Sequence, residues 1–162
     1  MKISMIDAID AFGIGGFIDL ETLKWIGPKW FSELHPANNT GLTDGDYAQI
    51  ITNSTRYLKT PVCRTIGLAC SAALQMGMPR GLLVDLGMTK DEYWDIFHVQ
   101  KENDNEESQY GMCDEEWAVI DGIKDYMLTN KMYNQYIFEK NALYKKIIRD
   151  WLACHGLEVE DE

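Results

Sequence analysis

Residues 61–76 read PVCRTIGLACSAALQM, sixteen positions with a single charge, Arg64. Val62, Ile66, Ala69, Ala73 and Met76 recur at steps of three and four, which is helical spacing, and Cys63, Cys70 and Leu74 add a second apolar stripe. A helix that is apolar on every side is buried rather than half exposed. Pro61 suits a first helical position, where a missing N–H forfeits no hydrogen bond. Gly67, Ala69, Ser71, Ala72 and Ala73 are small, so neighbours can approach the backbone closely. The stretch predicts a central buried helix with amphipathic helices laid around it. Sixteen residues with polar flanks are too few to cross a bilayer.

Downstream, Gly77-Met78-Pro79 ends this helix and residues 80–86 give one short turn. Upstream, Ile3, Ile6, Ile9 and Phe12 predict a short helix, broken by the glycines at 13, 15 and 16. No Gly-Lys-Ser/Thr follows those glycines, so they are a turn and not a phosphate cradle. Asp19 reads as the cap of a second helix burying Leu20, Leu23, Trp25 and Ile26, stopped by Gly27-Pro28. Residues 29–41 read as a loop carrying the apolar pair Trp30 and Phe31.

Three further helix starts share one grammar, at Gly41-Leu42-Thr43, Gly87-Met88-Thr89 and Gly111-Met112-Cys113, each followed by acids and then an aromatic. Thr43 with Asp46, and Thr89 with Glu92, fit reciprocal capping, and acids in a first turn suit the helix dipole. Their unequal spacing rules out a regular solenoid. The predicted helices run over residues 44–58, 91–100, 114–128 and 131–155, with Gly156 as a C-terminal cap. Leu143, Ile147, Ile148, Trp151 and Leu152 form the inner face of the last. No alternating strand stands out, so the expectation is an all-α fold. It is a single compact bundle of about six to eight helices over residues 1–157, followed by an acidic tail at 158–162.

The chain carries a net charge of −11, unevenly placed. Residues 1–84 hold seven acids and seven bases, whereas residues 85–125 hold thirteen acids against Lys90, Lys101 and Lys124. This layout argues against direct nucleic-acid binding, which needs Lys and Arg against phosphate. It suits steering toward a basic protein. Asp7 and Asp10 sit where the apolar core of a signal peptide would be, and the four cysteines at 63, 70, 113 and 154 form no close pair. A cytoplasmic protein with reduced thiols is the expectation.

Asp91, Asp95, His98 and Glu102 would share one face of a helix, and Asp95-x-x-His98 resembles half of a four-helix di-metal element. No second copy completes it, although Asp121 and Asp125 could add carboxylates. Cys154 and His155 are adjacent and point apart on a helix, and there is no Cys-x-x-Cys. Cys113 at a helix start has no His nearby in sequence, and no Walker, dinucleotide or Gly-x-Ser-x-Gly motif is present. A helix-turn-helix over residues 82–100 would present Asp91, Glu92 and Asp95 to phosphate. The reading is therefore a non-enzymatic acidic module with no metal or cofactor. Its composition is similar to that of small immunity proteins, antitoxins and nuclease inhibitors, which neutralise a basic toxin or nuclease. The partner-binding residues expected are Asp91, Asp95, Glu102, Asp104, Glu106, Glu107, Asp114 and Glu115, with Tyr110 and Trp117 as aromatic anchors. A metalloenzyme built on Asp95, His98, Asp121 and Asp125 is the first alternative. The second is a homo-oligomer in which the basic face over residues 140–149 meets the acidic segment.

Overall fold

A computed structural model describes residues 1–34, 41–89, 94–98 and 114–160. The all-α expectation is overturned. The described residues are 59% helical, and among them seven helices are interspersed with seven strands of two or three residues. In chain order these are β1 (Lys2–Ile3), α1 (Met5–Ile14), β2 (Phe17–Asp19), β3 (Lys24–Ile26), α2 (Lys29–Leu34), α3 (Asp44–Thr52), β4 (Tyr57–Lys59) and β5 (Val62–Cys63). There follow α4 (Thr65–Gln75), α5 (Arg80–Asp85), β6 (Phe97–His98), α6 (Asp114–Thr129), α7 (Tyr133–Ala153) and β7 (Glu158–Val159). The strands form three small sheets, β1–β7, β3-β2-β4 and β5–β6. The chain divides into two compact units, residues 1–62 with 148–162, and residues 63–147.

In the first unit the predicted helix after Asp19 is instead a hairpin. Phe17, Ile18 and Asp19 of β2 pair antiparallel with Ile26, Trp25 and Lys24, and on the other edge with Lys59, Leu58 and Tyr57. Asp19 organises the turn. Its Oδ1 accepts the Glu21 N–H at 2.9 Å, its carbonyl accepts the Leu23 N–H at 2.7 Å, and Leu23 takes φ of 58°. Its carboxylate is gripped from 37 residues away by Arg56, with Nε to Oδ1 at 3.1 Å and Nη2 to Oδ2 at 2.9 Å. A bidentate partner of opposite charge outweighs the weak helical preference of Leu20 to Lys24.

Some other local readings hold and others do not. Ser4 caps α1, accepting the Asp7 N–H at 3.1 Å. The glycine turn forms later than expected, because α1 runs through Gly13 to Ile14 and the positive φ values, 94° and 108°, fall at Gly15 and Gly16. The Thr43–Asp46 capping box closes at the start of α3, at 3.1 and 2.9 Å. Residues 29–34, expected in a loop, form α2, and α3 stops at Thr52 so that Tyr57–Lys59 can pair. Ile3, Ala8, Phe12, Ile18, Ile148, Leu152 and Leu157 are buried, and Phe12 packs edge-on to Trp151 at 5.2 Å between ring centroids. Gly156, with φ of 74°, ends α7, but Glu158 and Val159 do not fray. They pair in parallel with Lys2 and Ile3.

The Asp19 carboxyl is held down at about 2, from an ordinary 3.8, chiefly by the Arg56 hydrogen bonds, against the opposing effect of its burial. A carboxyl depressed in the folded state stabilises the fold above its unfolded value. That contribution is lost as pH falls through the folded value. The first unit should therefore lose stability between about pH 4 and pH 2. Asp19→Asn should be less stable than wild type at neutral pH and lose less on acidification. Denaturant unfolding of both proteins across that range reads the effect, and parallel acid profiles would refute it.

In the second unit α4 is the buried helix that the sequence announces. It begins at Thr65 rather than Pro61, because Arg64 is extended (φ −76°, ψ 128°) and gives its N–H to the carbonyl of Ile96. Ile66, Ala69, Cys70, Ala72 and Ala73 are buried together with Met78, Leu83, Met88, Val119, Ile123, Met127 and Tyr136. Residues 97–98 form a strand, so the expected helix over 91–100 does not run through them. Asp95 and His98 consequently do not share a helical face.

Candidate functional site

The described part of the acidic segment is concentrated on α6. Val119, Ile123 and Met127, at +4 spacing, are buried in the core with α4, and Glu116 lies on the same side. Arg64 Nη2 donates to Glu116 Oε2 at 3.0 Å, and the pair is largely buried, with side-chain exposures of 21% and 10%. Asp114, Glu115 and Glu116 in the first turn also complement the positive end of the helix dipole.

With that face fixed inward, helical periodicity sends Asp114, Trp117, Asp121, Asp125 and Leu128 outward, at steps of +3, +4, +4 and +3. All five are exposed, Trp117 to 49% and Leu128 to 50%. Lys124 is the one base in α6. The result is a row of carboxylates interleaved with two large apolar side chains. Exposed carboxylates attract a basic surface over several ångströms but hold it weakly, and a half-exposed indole offers a large area to bury.

Of the expected site residues, Asp114 and Trp117 share the outward face of α6, whereas Glu115, in the same first turn, projects about 160° around the helix from Trp117 and outside the row. Asp95 is exposed in the turn before β6, where its carbonyl lies against α4 at Gly67. Asp91, Glu102, Asp104, Glu106, Glu107 and Tyr110 lie outside the described residues. Asp121, Asp125 and Leu128 complete the row and were not among the expected partner contacts. Their signal was the +4 and +3 continuation from Trp117.

The chemistry elsewhere is muted. Burial pushes the Cys63 and Cys70 thiols up to about 12, which removes them as nucleophiles at neutral pH. Among the described residues no three His, Cys, Asp or Glu side chains gather as a metal site. In the first unit a polar cleft of about 440 Å³ is lined by residues that include Asp46, Thr52, Arg56 and Tyr57. Three of its polar groups are already engaged. Asp46 closes the α3 capping box, the Thr52 hydroxyl donates toward the Ala48 and Gln49 carbonyls, and Arg56 is bound to Asp19 and Glu21.

Fold and face together define a helix-rich protein with small two- and three-stranded sheets and an acidic, aromatic-bearing helix surface. No protein-family model, characterised protein or solved structure matches the chain. Among the described residues no helix is long and apolar enough to cross a membrane.

Proposed function

We propose that this chain is a non-enzymatic protein-binding module that engages a basic protein through the outward row of α6. The observation that carries the reading is Trp117, half exposed and set between Asp114 and Asp121 on one helix face. Buried aromatic anchors supply most of the affinity at interfaces, about 2–4 kcal/mol each, while surrounding charges set orientation and association rate. The excess of thirteen acids over three bases in residues 85–125 supports a partner of opposite sign. An inhibitor or immunity-type role is the form of this reading that the charge favours. A toxin or nuclease that acts on phosphate presents a basic surface, which a row of carboxylates can occupy. A cytoplasmic setting belongs to the same reading, and the unpaired thiols of Cys63, Cys70 and Cys154 support it.

The test uses immobilised full-length protein to capture a partner at low and raised salt, beside two variants. The charge-reversed triple variant Asp114→Lys, Asp121→Lys, Asp125→Lys should slow association about tenfold or more. Trp117→Ala should speed dissociation by about thirtyfold, equivalent to roughly 2 kcal/mol. Both should stay folded under the binding conditions while losing about 1 kcal/mol of stability, since Asp114→Lys sets a cation at the positive end of the α6 dipole and Trp117 is half buried. A captured partner that holds equally well to both variants would sink the proposal.

A further inference from the structure

Beside the acidic row, the second unit carries a small apolar groove of about 200 Å³, lined by Met78, Leu82, Asp85, Leu86, Gly122 and Tyr126. It lies where α5 and the turn after it meet α6. The missing side chain at 122 allows this approach. A Cβ there would stand 2.4 Å from Leu86 Cδ2. Leu82 is 40% exposed at the groove, and among the described residues Asp85 is the only charge lining it. Gly122 and Tyr126 follow Asp121 and Asp125 by one residue each, about 100° around the helix. The groove and the acidic row are therefore adjacent surfaces of α6.

Size decides what fits. Pockets for small organic ligands run to roughly 300–1,000 Å³. A groove of about 200 Å³ suits one large aliphatic side chain. Charge decides what carries that side chain. With Asp85 in the wall and Asp121 and Asp125 beside it, an acidic peptide is repelled and a lysine- or arginine-flanked one is attracted.

Resting on the acidic-face reading above, we infer that this groove receives a single leucine-sized side chain from a basic segment of the partner protein. The flanking Lys or Arg residues of that segment would pair with Asp85, Asp121 and Asp125. The groove supplies the specificity that the carboxylates alone lack, because exposed ion pairs discriminate poorly among basic surfaces.

The test titrates the full chain, with labelled methyl groups and backbone amides, with two synthetic peptides. One is a leucine flanked on each side by two lysines, the other the same peptide with glycine in place of leucine. The leucine peptide should shift the Met78, Leu82 and Leu86 methyl signals saturably and bind about tenfold more tightly than the glycine peptide. Leu82→Lys should abolish that advantage, and Asp85→Lys should weaken the leucine peptide as a second, independent variant. Equal binding of the two peptides, with amide shifts at Asp121 and Asp125 but none in the groove, would overturn the groove inference and leave the acidic-face reading standing. Binding of neither peptide would overturn both.

Discussion

Gly67→Ala is expected to destabilise the second unit by about 2 kcal/mol, although the same exchange in an ordinary helix interior stabilises by about 1 kcal/mol. Two effects of opposite sign meet at this position. Alanine restricts the unfolded chain and favours the helix. Against that, a Cβ at 67 would stand 2.5 Å from the Asp95 carbonyl oxygen and 2.9 Å from Ile96 Cα. Both are backbone atoms, so no rotamer change relieves the collision. Overpacking that forces a backbone shift costs about 3 kcal/mol at the upper end of its usual range, which decides the sign. The displaced backbone is also the one whose Ile96 carbonyl receives the Arg64 N–H. Gly81 is the control. It lies in α5, where a Cβ would meet nothing within 4 Å, so Gly81→Ala should gain up to about 1 kcal/mol. Urea unfolding followed by circular dichroism compares the two variants with wild type. A Gly67→Ala protein as stable as wild type would mean that residues 95 and 96 do not seat against α4.

The same glycine illustrates what was legible in the sequence and what was not. The burial of α4 could be read from residues 61–76, because a run of small and apolar side chains without a polar face has no solvent-facing arrangement. The helix that opens at Asp114 and the caps at Thr43 and Gly156 were legible too, since each depends on residues within one or two turns. The strands were not. Period-two alternation needs four or more residues to register, and these strands have two or three. What makes Phe17–Asp19 a strand is Arg56, far along the chain, together with a left-handed Leu23 that no turn preference announces. Likewise Arg64, taken as part of a helix, is extended because its N–H serves the chain near residue 96. The candidate face was half legible. The acids were conspicuous, but which of them point outward depended on knowing that Glu116 is turned in by Arg64.

That inward pair should give the second large effect. Arg64→Ala or Glu116→Ala alone is expected to cost about 3 kcal/mol. Each leaves a largely buried charge without its main partner, and the residual exposure of Arg64 keeps the loss at the low end of the range for buried pairs. The double replacement Arg64→Met with Glu116→Leu should return to within about 1 kcal/mol of wild type, because desolvating both ions nearly offsets their attraction. A double-mutant cycle measured by urea unfolding tests this, and single variants within about 0.5 kcal/mol of wild type would refute it. The pair thus contributes orientation more than net stability. It fixes which side of α6 faces the core at its first turn, and so points Asp114 and Trp117 outward. Ionic strength separates this role from that of the exposed acids. The coupling between Arg64 and Glu116 should persist as salt rises, since solvent ions reach the pair poorly. Association of a basic partner with Asp114, Asp121 and Asp125 should fall steeply over the same titration. Carboxylates on one helix would then divide by burial alone into one that sets the helix and others that recruit the partner.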